Sequence, residues 1–272
     1  MCGIAGYIGP RILGDQTIHA CLDLMERRGP NSAGHIEIST SDANNVYLLH
    51  TRLSIIDLDE RSNQPFRLAS KVLTYNGELY NYRELRRDLI ALGRSFQTES
   101  DTEVLLAAID QFGWKILDKF EGMWAFAVYD TATETLTLSR DRFGEKPLYT
   151  YRDETGFYFG SEIKFIFQLL GRRLEINEDH LYRYLVNGYR ALYKTQTGFF
   201  KGIKELPCAS IMMVKRNSQD QVERYWTPNL IQDSNFRRTD AIEELRHALF
   251  RAVELRLRAD VPLAFCMSGG VD

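Results

Sequence analysis

A fold with helices layered on β-sheets is predicted for this 272-residue chain by two kinds of apolar pattern, mixed along its first two hundred residues. Short runs rich in β-branched and aromatic residues predict strands, and apolar residues at helical spacing predict helices. Strand and helix runs interspersed in this way favour helices packed on sheets. The composition, with 44% hydrophobic and 26% charged residues, is that of an ordinary globular protein.

The individual elements follow from these patterns. Apolar residues separated by Gly3, Gly6 and Gly9 occupy 3–9, which predicts a buried strand at the N-terminus. Further strands are predicted at 34–38, 46–50, 72–75, 123–129, 136–138, 148–151 and 157–159. The run at 123–129 is apolar almost throughout, so we expect burial on both of its faces. Helices are predicted at 82–92 and 101–112, where apolar residues recur every three or four positions.

The character of the chain changes after Trp226. The segment 227–238 is polar and aperiodic, which is typical of a linker. A long amphipathic helix should follow, with Asp240 and Glu243 as its capping pair and an end near Ala259. The apolar stripe of that helix comprises Ile242, Leu245, Leu249, Ala252 and Val253.

A strand is predicted at 261–267, and it runs into the glycine-rich 268–272. A domain would not end on the turn after its first buried strand, so we expect a piece of a longer protein. The predicted organisation is a domain over 2–226, a linker over 227–238 and the start of a second domain over 239–272.

The position of Cys2 directly after the initiator methionine gives the chain its most reactive feature. Once Met1 is removed, one residue carries a thiol with a pKa of about 8.5 and an α-amine with a pKa of about 7.7–8.0. Such an amine can act as the base that helps the sulfur attack. The alternative is a chance cysteine in a frayed terminus, and the strand predicted directly after Cys2 argues against fraying.

The pentapeptide Ser268-Gly269-Gly270-Val271-Asp272 indicates a second kind of chemistry. A glycine-rich turn after a buried strand exposes successive backbone N–H groups, which form a concave site for phosphate. It is not the nucleotide loop of Walker-type enzymes, because it has no lysine and a different spacing.

Charge and cysteine content exclude several classes of function. The net charge of −3 gives no reason to expect nucleic acid or an anionic membrane as a partner. No apolar stretch is long enough to span a bilayer, and the N-terminus lacks the features of a signal peptide. The four cysteines are far apart and form no CxxC pair, so we expect reduced thiols and a cytoplasmic protein. No combination of the histidines with acids has metal-ligand spacing, and no metal is predicted in the first domain.

An ordered series of motifs runs along the chain. The motifs are Cys2-Gly3-Ile4, Arg27-Arg28-Gly29-Pro30, His50-Thr51-Arg52-Leu53-Ser54-Ile55-Ile56-Asp57, Asn76-Gly77-Glu78-Leu79-Tyr80-Asn81, Ser100-Asp101-Thr102-Glu103, Arg140-Asp141-Arg142-Phe143-Gly144 with Pro147-Leu148-Tyr149, Ser161-Glu162, and the terminal pentapeptide. The whole series resembles one family, the glutamine-dependent asparagine synthetases. The resemblance implies an α+β chain whose first domain is a class II glutaminase with the four-layer αββα N-terminal-nucleophile hydrolase fold. The second domain would be represented by the first helix, strand and loop of an α/β ATP pyrophosphatase domain.

The resemblance also implies catalytic roles. Cys2 would attack the side-chain amide of glutamine, form a thioester and release ammonia, and water would then yield glutamate. The Asn76 side-chain amide and the Gly77 backbone N–H would form the oxyanion hole. Without the resemblance, Asn-Gly is a strong signal for a hairpin turn, and a turn can itself carry such a hole. No cofactor is implied for this half-reaction.

A glutamine pocket is implied as well. Arg52 would hold the α-carboxylate with its planar fork, and Asp101 would accept from the α-ammonium. Backbone groups of Leu53, Ile55 and Ile56, with Glu78, would complete the pocket. By composition alone, Arg52 and Asp101 would be surface charges. His50 is expected to be structural, because the terminal amine takes the place of a histidine base in this family.

For the intact protein, the resemblance implies ATP and magnesium as cofactors and aspartate as the acceptor, activated as an acyl-adenylate and reached by ammonia through an internal passage. The ATP site would include Met267, Ser268, Gly269, Gly270 and Asp272, and a homodimer is allowed. Alternatives are amidation of another carboxylate such as a sugar acid, a sugar-phosphate amidotransferase, which the pentapeptide argues against, and a catalytically idle partner-binding domain. Two departures from the family pattern are Asn31 in place of aspartate and Ala209 in place of a glycine, where the turn could need a positive φ.

Overall fold

A computed structural model of the chain describes residues 2–189, 195–214, 220–230, 237–266 and 269. Within this part the chain forms two antiparallel sheets and six α-helices. The strands are β1 (Gly3–Gly9), β2 (Ser32–Ser39), β3 (Asn45–Arg52), β4 (Phe66–Leu68), β5 (Lys71–Leu79), β6 (Gly122–Asp130), β7 (Thr135–Arg140), β8 (Tyr149–Asp153), β9 (Gly156–Gly160), β10 (Lys204–Glu205), β11 (Ser210–Val214) and β12 (Gln221–Arg224). The helices are α1 (Asp15–Met25), α2 (Tyr82–Ala91), α3 (Asp101–Phe112), α4 (Ile163–Leu170), α5 (Glu178–Asn187) and α6 (Arg238–Arg256).

The N-terminal strand lies inside its sheet and not at an edge. The first sheet has the order β10-β8-β9-β1-β3-β2, and the second has the order β12-β11-β7-β6-β5-β4. Strand β1 pairs with β3 along its whole length and with β9 over its middle, so Cys2 directly precedes a strand with a neighbour on each side. In the second sheet, β5 pairs with β6 from end to end.

Alternating side chains on the central strands build four layers. On β1, Ile4 packs between the two sheets, whereas Tyr7 packs beneath α1 and α4. On β6, Ala127 faces the first sheet and Phe126 faces α2 and α3. The sheets therefore pack on each other through one face each, and each buries its other face under helices. This confirms the four-layer αββα architecture that the motifs imply.

The predicted strands and helices of the first 160 residues all form, with ends that differ by a few positions. The sequence patterns did not predict seven elements. These are the strands β4 and β10–β12 and the helices α1, α4 and α5. The turn at Ala209 does take a positive φ of 54°, which explains why a glycine suits that position. Its backbone is fixed on both sides, because Ala209 N–H donates to Asp141 and its carbonyl accepts from Tyr225.

Two predictions after the linker are wrong. Helix α6 starts at Arg238, so Asp240 lies inside its first turn and pairs with the Arg237 side chain at 2.9 Å instead of capping the helix. Its apolar stripe is exposed, with Leu245 70% accessible. Residues 261–266 form no strand, since no neighbouring strand in the described part of the chain takes up their backbone hydrogen bonds.

Candidate active site

A cavity of about 120 Å³ lies where the ends of β1, β3 and β5 meet the start of α3. Its lining includes every residue predicted for the glutamine site, namely Cys2, Arg52, Leu53, Ile55, Ile56, Asn76, Gly77, Glu78 and Asp101. The lining also includes residues that sequence reasoning missed, namely Gln64, Tyr75, Ser100, Thr102, Met123 and Lys146. Four separate motifs thus converge on one cavity.

The position of Cys2 is fixed through its backbone. Its carbonyl accepts a hydrogen bond from Arg28 Nε at 2.9 Å, and Arg28 is itself paired with Glu162 at 2.9 Å. Two residues on, Ile4 N–H donates to the Ser161 hydroxyl at 3.1 Å. These bonds and the flanking strands keep the start of the described chain from fraying.

The surroundings of Cys2 disfavour ionisation of its thiol. Burial raises the pKa of the Cys2 thiol above its ordinary value, because a thiolate would lose solvation there. The Leu53 N–H lies 3.4 Å from Sγ and opposes this effect. No histidine assists, since the His50 ring donates to the Tyr75 carbonyl at 3.1 Å and burial lowers its pKa to about 3. Any attack by this sulfur therefore needs a base other than His50.

The Asn76 amide is fully buried and has no hydrogen-bond partner for its nitrogen or its oxygen among the described residues. Leaving a buried amide unsatisfied is costly, so such a group is unusual unless a ligand completes it. Asn76 and Gly77 lie within β5 and pair with Ala125 and Trp124 of β6. They do not form the hairpin turn that their sequence could suggest.

Backbone alternation directs the Gly77 N–H to the open edge of β5. On that edge, Tyr75 N–H donates to the Gln64 side chain and Leu79 N–H donates to Asp101, so the residue between them has the same orientation. A Cβ at Gly77 would overlap the Met123 carbonyl oxygen. Only glycine fits this position without moving the backbone.

Arg52 and Asp101 place opposite charges on the cavity, and both are buried. Arg52 Nη1 donates to the Asp59 carbonyl and the Asn63 side chain, each at 2.9 Å. Its Nη2 donates to the carbonyls of Ile56 and Asp57. The fork is thus engaged with neutral oxygens of the loop after β3, and no carboxylate among the described residues forms an ion pair with it.

Asp101 is the first residue of α3. Its carboxylate accepts from Leu79 N–H at 2.9 Å and from the Tyr75 hydroxyl at 3.1 Å. Burial raises its pKa from 3.8 to about 6, and these hydrogen bonds act against the rise. No cation of the described residues is paired with it. The cavity therefore offers a positive and a negative group to a ligand that carries both charges.

Two further charged residues complete the lining. Burial raises the pKa of Glu78, and the negative charge of Asp101 adds to this. Lys146 is also buried, which lowers its pKa, while the charge of Glu78 acts in the opposite direction. Lys146 lies between two parts of a quoted motif, Gly144 and Pro147. A lysine directly before an apolar strand was the only local signal for it.

Most of the predicted ATP site lies outside the described residues, namely Met267, Ser268, Gly270 and Asp272. Gly269 is exposed and has a φ of 79°, as a glycine turn requires. Within the described ranges, no group of His, Cys, Asp and Glu side chains is arranged to hold a metal ion. Among the helices of that same part, none is long and apolar enough to cross a bilayer.

Comparison with known proteins gives two family matches. A model described as a glutamine amidotransferase domain matches residues 1–226, and one described as asparagine synthase matches residues 244–272. The chain is 32% identical over its full length to asparagine synthetase [glutamine-hydrolyzing] 3 of Bacillus subtilis, of which it covers 44%. It is 30% identical to a putative asparagine synthetase [glutamine-hydrolyzing] 2 of Methanocaldococcus jannaschii, of which it covers 55%. The chain thus spans about half the length of these curated relatives.

A solved structure shares the fold. Glutamine phosphoribosylpyrophosphate amidotransferase from B. subtilis, complexed with ADP and GMP, superposes with a TM-score of 0.60 at 19% identity. The superposition covers 84% of this chain and 50% of that one.

The buried charge of Asp101 predicts a pH-dependent stability difference. Its folded pKa of about 6 exceeds the ordinary 3.8, so ionisation opposes folding as the pH rises from about 4 to above 6. A shift of this size amounts to a cost on the order of 3 kcal/mol above pH 6, and to little at pH 4. Asp101→Asn should therefore be more stable than the wild type at pH 7.5 in denaturant unfolding. The two should have similar stability at pH 4, and a difference that is equal at both pH values would contradict this assignment.

Proposed function

Because the chain belongs to the glutamine amidotransferase domain family, we propose that it hydrolyses glutamine to glutamate and ammonia with Cys2 as the nucleophile. One observation carries the proposal. The Cys2 thiol, the unsatisfied Asn76 amide and two buried opposite charges, Arg52 and Asp101, line the same cavity. Glutamine has a counterpart for each of them, namely an amide carbon, an amide oxygen, an α-carboxylate and an α-ammonium.

The first step is nucleophilic attack. After removal of Met1, the free α-amine of Cys2 takes the thiol proton, directly or through a water, because burial raises the pKa of the thiol and disfavours the thiolate. The sulfur then bonds to the amide carbon of glutamine. Return of the proton to the nitrogen lets ammonia leave, and a thioester remains on Cys2. Water adds to the thioester with the same amine as base, and glutamate is released.

Both half-reactions pass through a tetrahedral oxyanion. The Asn76 Nδ2 and the Gly77 N–H are the donors proposed for it. Two observations support this choice: the Asn76 amide has no partner in the described part of the chain, and the Gly77 N–H is directed to the open edge of β5. Because both donors are part of a paired strand, they are in place before charge develops, and no reorganisation is needed.

The two charges would orient the substrate. The α-ammonium is placed at Asp101, whose carboxylate has no cationic partner among the described residues. The α-carboxylate is placed at Arg52, which can exchange a loop carbonyl for a charged acceptor and so gain a stronger hydrogen bond. Leu53, Ile55 and Ile56 provide backbone groups and Glu78 a side chain around the substrate. Lys146 adds a positive charge close to Glu78.

For the whole protein, we propose a glutamine-hydrolysing asparagine synthetase. Its ATP-dependent part would use ammonia to amidate aspartate, with magnesium accompanying ATP. The match of 244–272 to the asparagine synthase model and the names of the relatives support this proposal. Gly269 is the described member of the loop that would bind ATP. The domain boundaries, a homodimer and the cytoplasmic location belong to the same proposal and rest on the sequence.

Removal of the nucleophile tests the assignment of Cys2. Cys2→Ala should abolish glutamate release from glutamine, because no other thiol lines the cavity. Cys208→Ala is the matched control, since Cys208 is also a free, partly buried cysteine and lies outside the cavity. Its activity should equal that of the wild type. Equal rates for Cys2→Ala and the wild type would refute the nucleophile, and an idle domain would show no glutamate release in any variant.

Removal of an oxyanion donor should act on kcat. Asn76→Ala is expected to lower kcat about 10²–10³-fold with little change in KM, since the donor acts on the transition state. The variant should be at least as stable as the wild type, because it removes a buried amide that forms no hydrogen bond within the described chain. Asn45→Ala replaces another buried asparagine, one outside the cavity, and should keep kcat. A rise in KM with kcat unchanged for Asn76→Ala would contradict the oxyanion role.

A further inference from the structure

The segment after α6 contacts both walls of the proposed glutamine pocket. One wall is the loop after β3, which supplies Leu53, Ile55 and Ile56 to the cavity. The other is the end of β5, which supplies Asn76, Gly77 and Glu78 and continues into α2. Residues 258–260 reach the two walls through two side chains, Arg258 and Asp260.

Asp260 is bonded to the loop after β3 at two points. Its N–H donates to the Ile55 carbonyl at 2.9 Å, and its carboxylate accepts from the Asp57 N–H at 2.8 Å. This arrangement fixes the backbone on both sides of Ile56. Both Ile55 and Ile56 line the cavity, so Asp260 acts on pocket residues without lining the pocket itself.

The Asp57 backbone links this contact to Arg52. Asp57 has a φ of 53°, in the left-handed region that is uncommon for a non-glycine residue. Its own carboxylate helps to hold this conformation, accepting from the Ser62 hydroxyl at 2.6 Å and from Glu99 N–H at 2.8 Å. The Asp57 carbonyl accepts from Arg52 Nη2. Asp57 therefore contacts Asp260 through its N–H, and through its carbonyl it contacts the arginine proposed to hold the substrate carboxylate.

Arg258 is bonded to the other wall. Its guanidinium forms a bidentate ion pair with Glu84 of α2, with both distances 2.6 Å, and this lowers the pKa of Glu84 to about 2. The same group donates to the Tyr80 carbonyl at 2.7 Å. Tyr80 directly follows β5, the strand that contains the proposed oxyanion donors Asn76 and Gly77.

We propose that Arg258 and Asp260 are positioning residues that set the spacing of the two pocket walls and thereby the affinity for glutamine. The inference rests on the proposed function. Both residues lie in the part of the chain that matches the asparagine synthase model. Glutamine binding in the glutaminase part therefore depends on the position of the synthase-like part. A displacement of residues 258–260 weakens substrate binding and leaves Cys2 and Asn76 in place.

The test separates KM from kcat in glutamine hydrolysis by the full 272-residue chain. Asp260→Ala is expected to raise KM for L-glutamine about three- to tenfold, the equivalent of one lost hydrogen bond, with kcat unchanged. Asp260→Asn keeps an oxygen acceptor for the Asp57 N–H and should restore a KM close to that of the wild type. Arg258→Ala should also raise KM for L-glutamine.

Arg251→Ala is the matched arginine control. Arg251 lies on α6 and pairs with Glu121 at 2.7 Å; neither residue lines the cavity, and removal of the Arg251 side chain should leave KM unchanged. Amide hydrogen exchange of the peptide 53–58 should accelerate in Asp260→Ala and not in Arg251→Ala. An unchanged KM in Asp260→Ala, or an equal rise in Arg251→Ala, overturns the proposal while the proposed function stands. Absence of glutamine hydrolysis by the wild-type chain overturns both.

Discussion

The placement of β1 inside the first sheet is the constraint on which the site depends. An N-terminal residue is ordinarily mobile, and a mobile nucleophile would lose the benefit of orientation. Here the strand that follows Cys2 has β3 on one side and β9 on the other, and Arg28 binds the Cys2 carbonyl. The same pairing places the end of β3, and hence Arg52, next to the thiol. Sheet register thus positions both the proposed nucleophile and the proposed substrate clamp.

The cavity keeps polar groups in states that are unfavourable for folding. Asp101 is buried with a raised pKa, Arg52 has no carboxylate partner in the described residues, and the Asn76 amide is unsatisfied. Each of these groups would be more stable in water or with a partner of its own. Their concentration around one thiol is understandable if a ligand with both charges and an amide satisfies them together. In that case, the free energy of folding that these groups cost in the free protein is recovered when glutamine binds.

Sequence reasoning predicted much of the fold and of the cavity lining, for identifiable reasons. Apolar runs rich in β-branched and aromatic residues predicted the central strands, helical spacing predicted α2 and α3, and the motif series predicted nine of the cavity residues, among them Cys2, Arg52 and Asp101. Lys146 was missed because its position depends on a tertiary contact. The Asp141 carboxylate accepts from the Lys146 N–H at 3.0 Å and from Trp124 N–H at 3.2 Å, which folds the turn towards the cavity. No local pattern shows such a bond. Engagement of the Arg52 fork by its own loop was unpredictable for the same reason.

The direct test of the central claim is a crystal structure of Cys2→Ala with L-glutamine bound. The account predicts the α-carboxylate at Arg52, the α-ammonium at Asp101 and the side-chain amide oxygen within hydrogen-bond distance of Asn76 Nδ2 and Gly77 N–H. Glutamine bound elsewhere, or in the cavity with its amide directed away from residue 2, would contradict it.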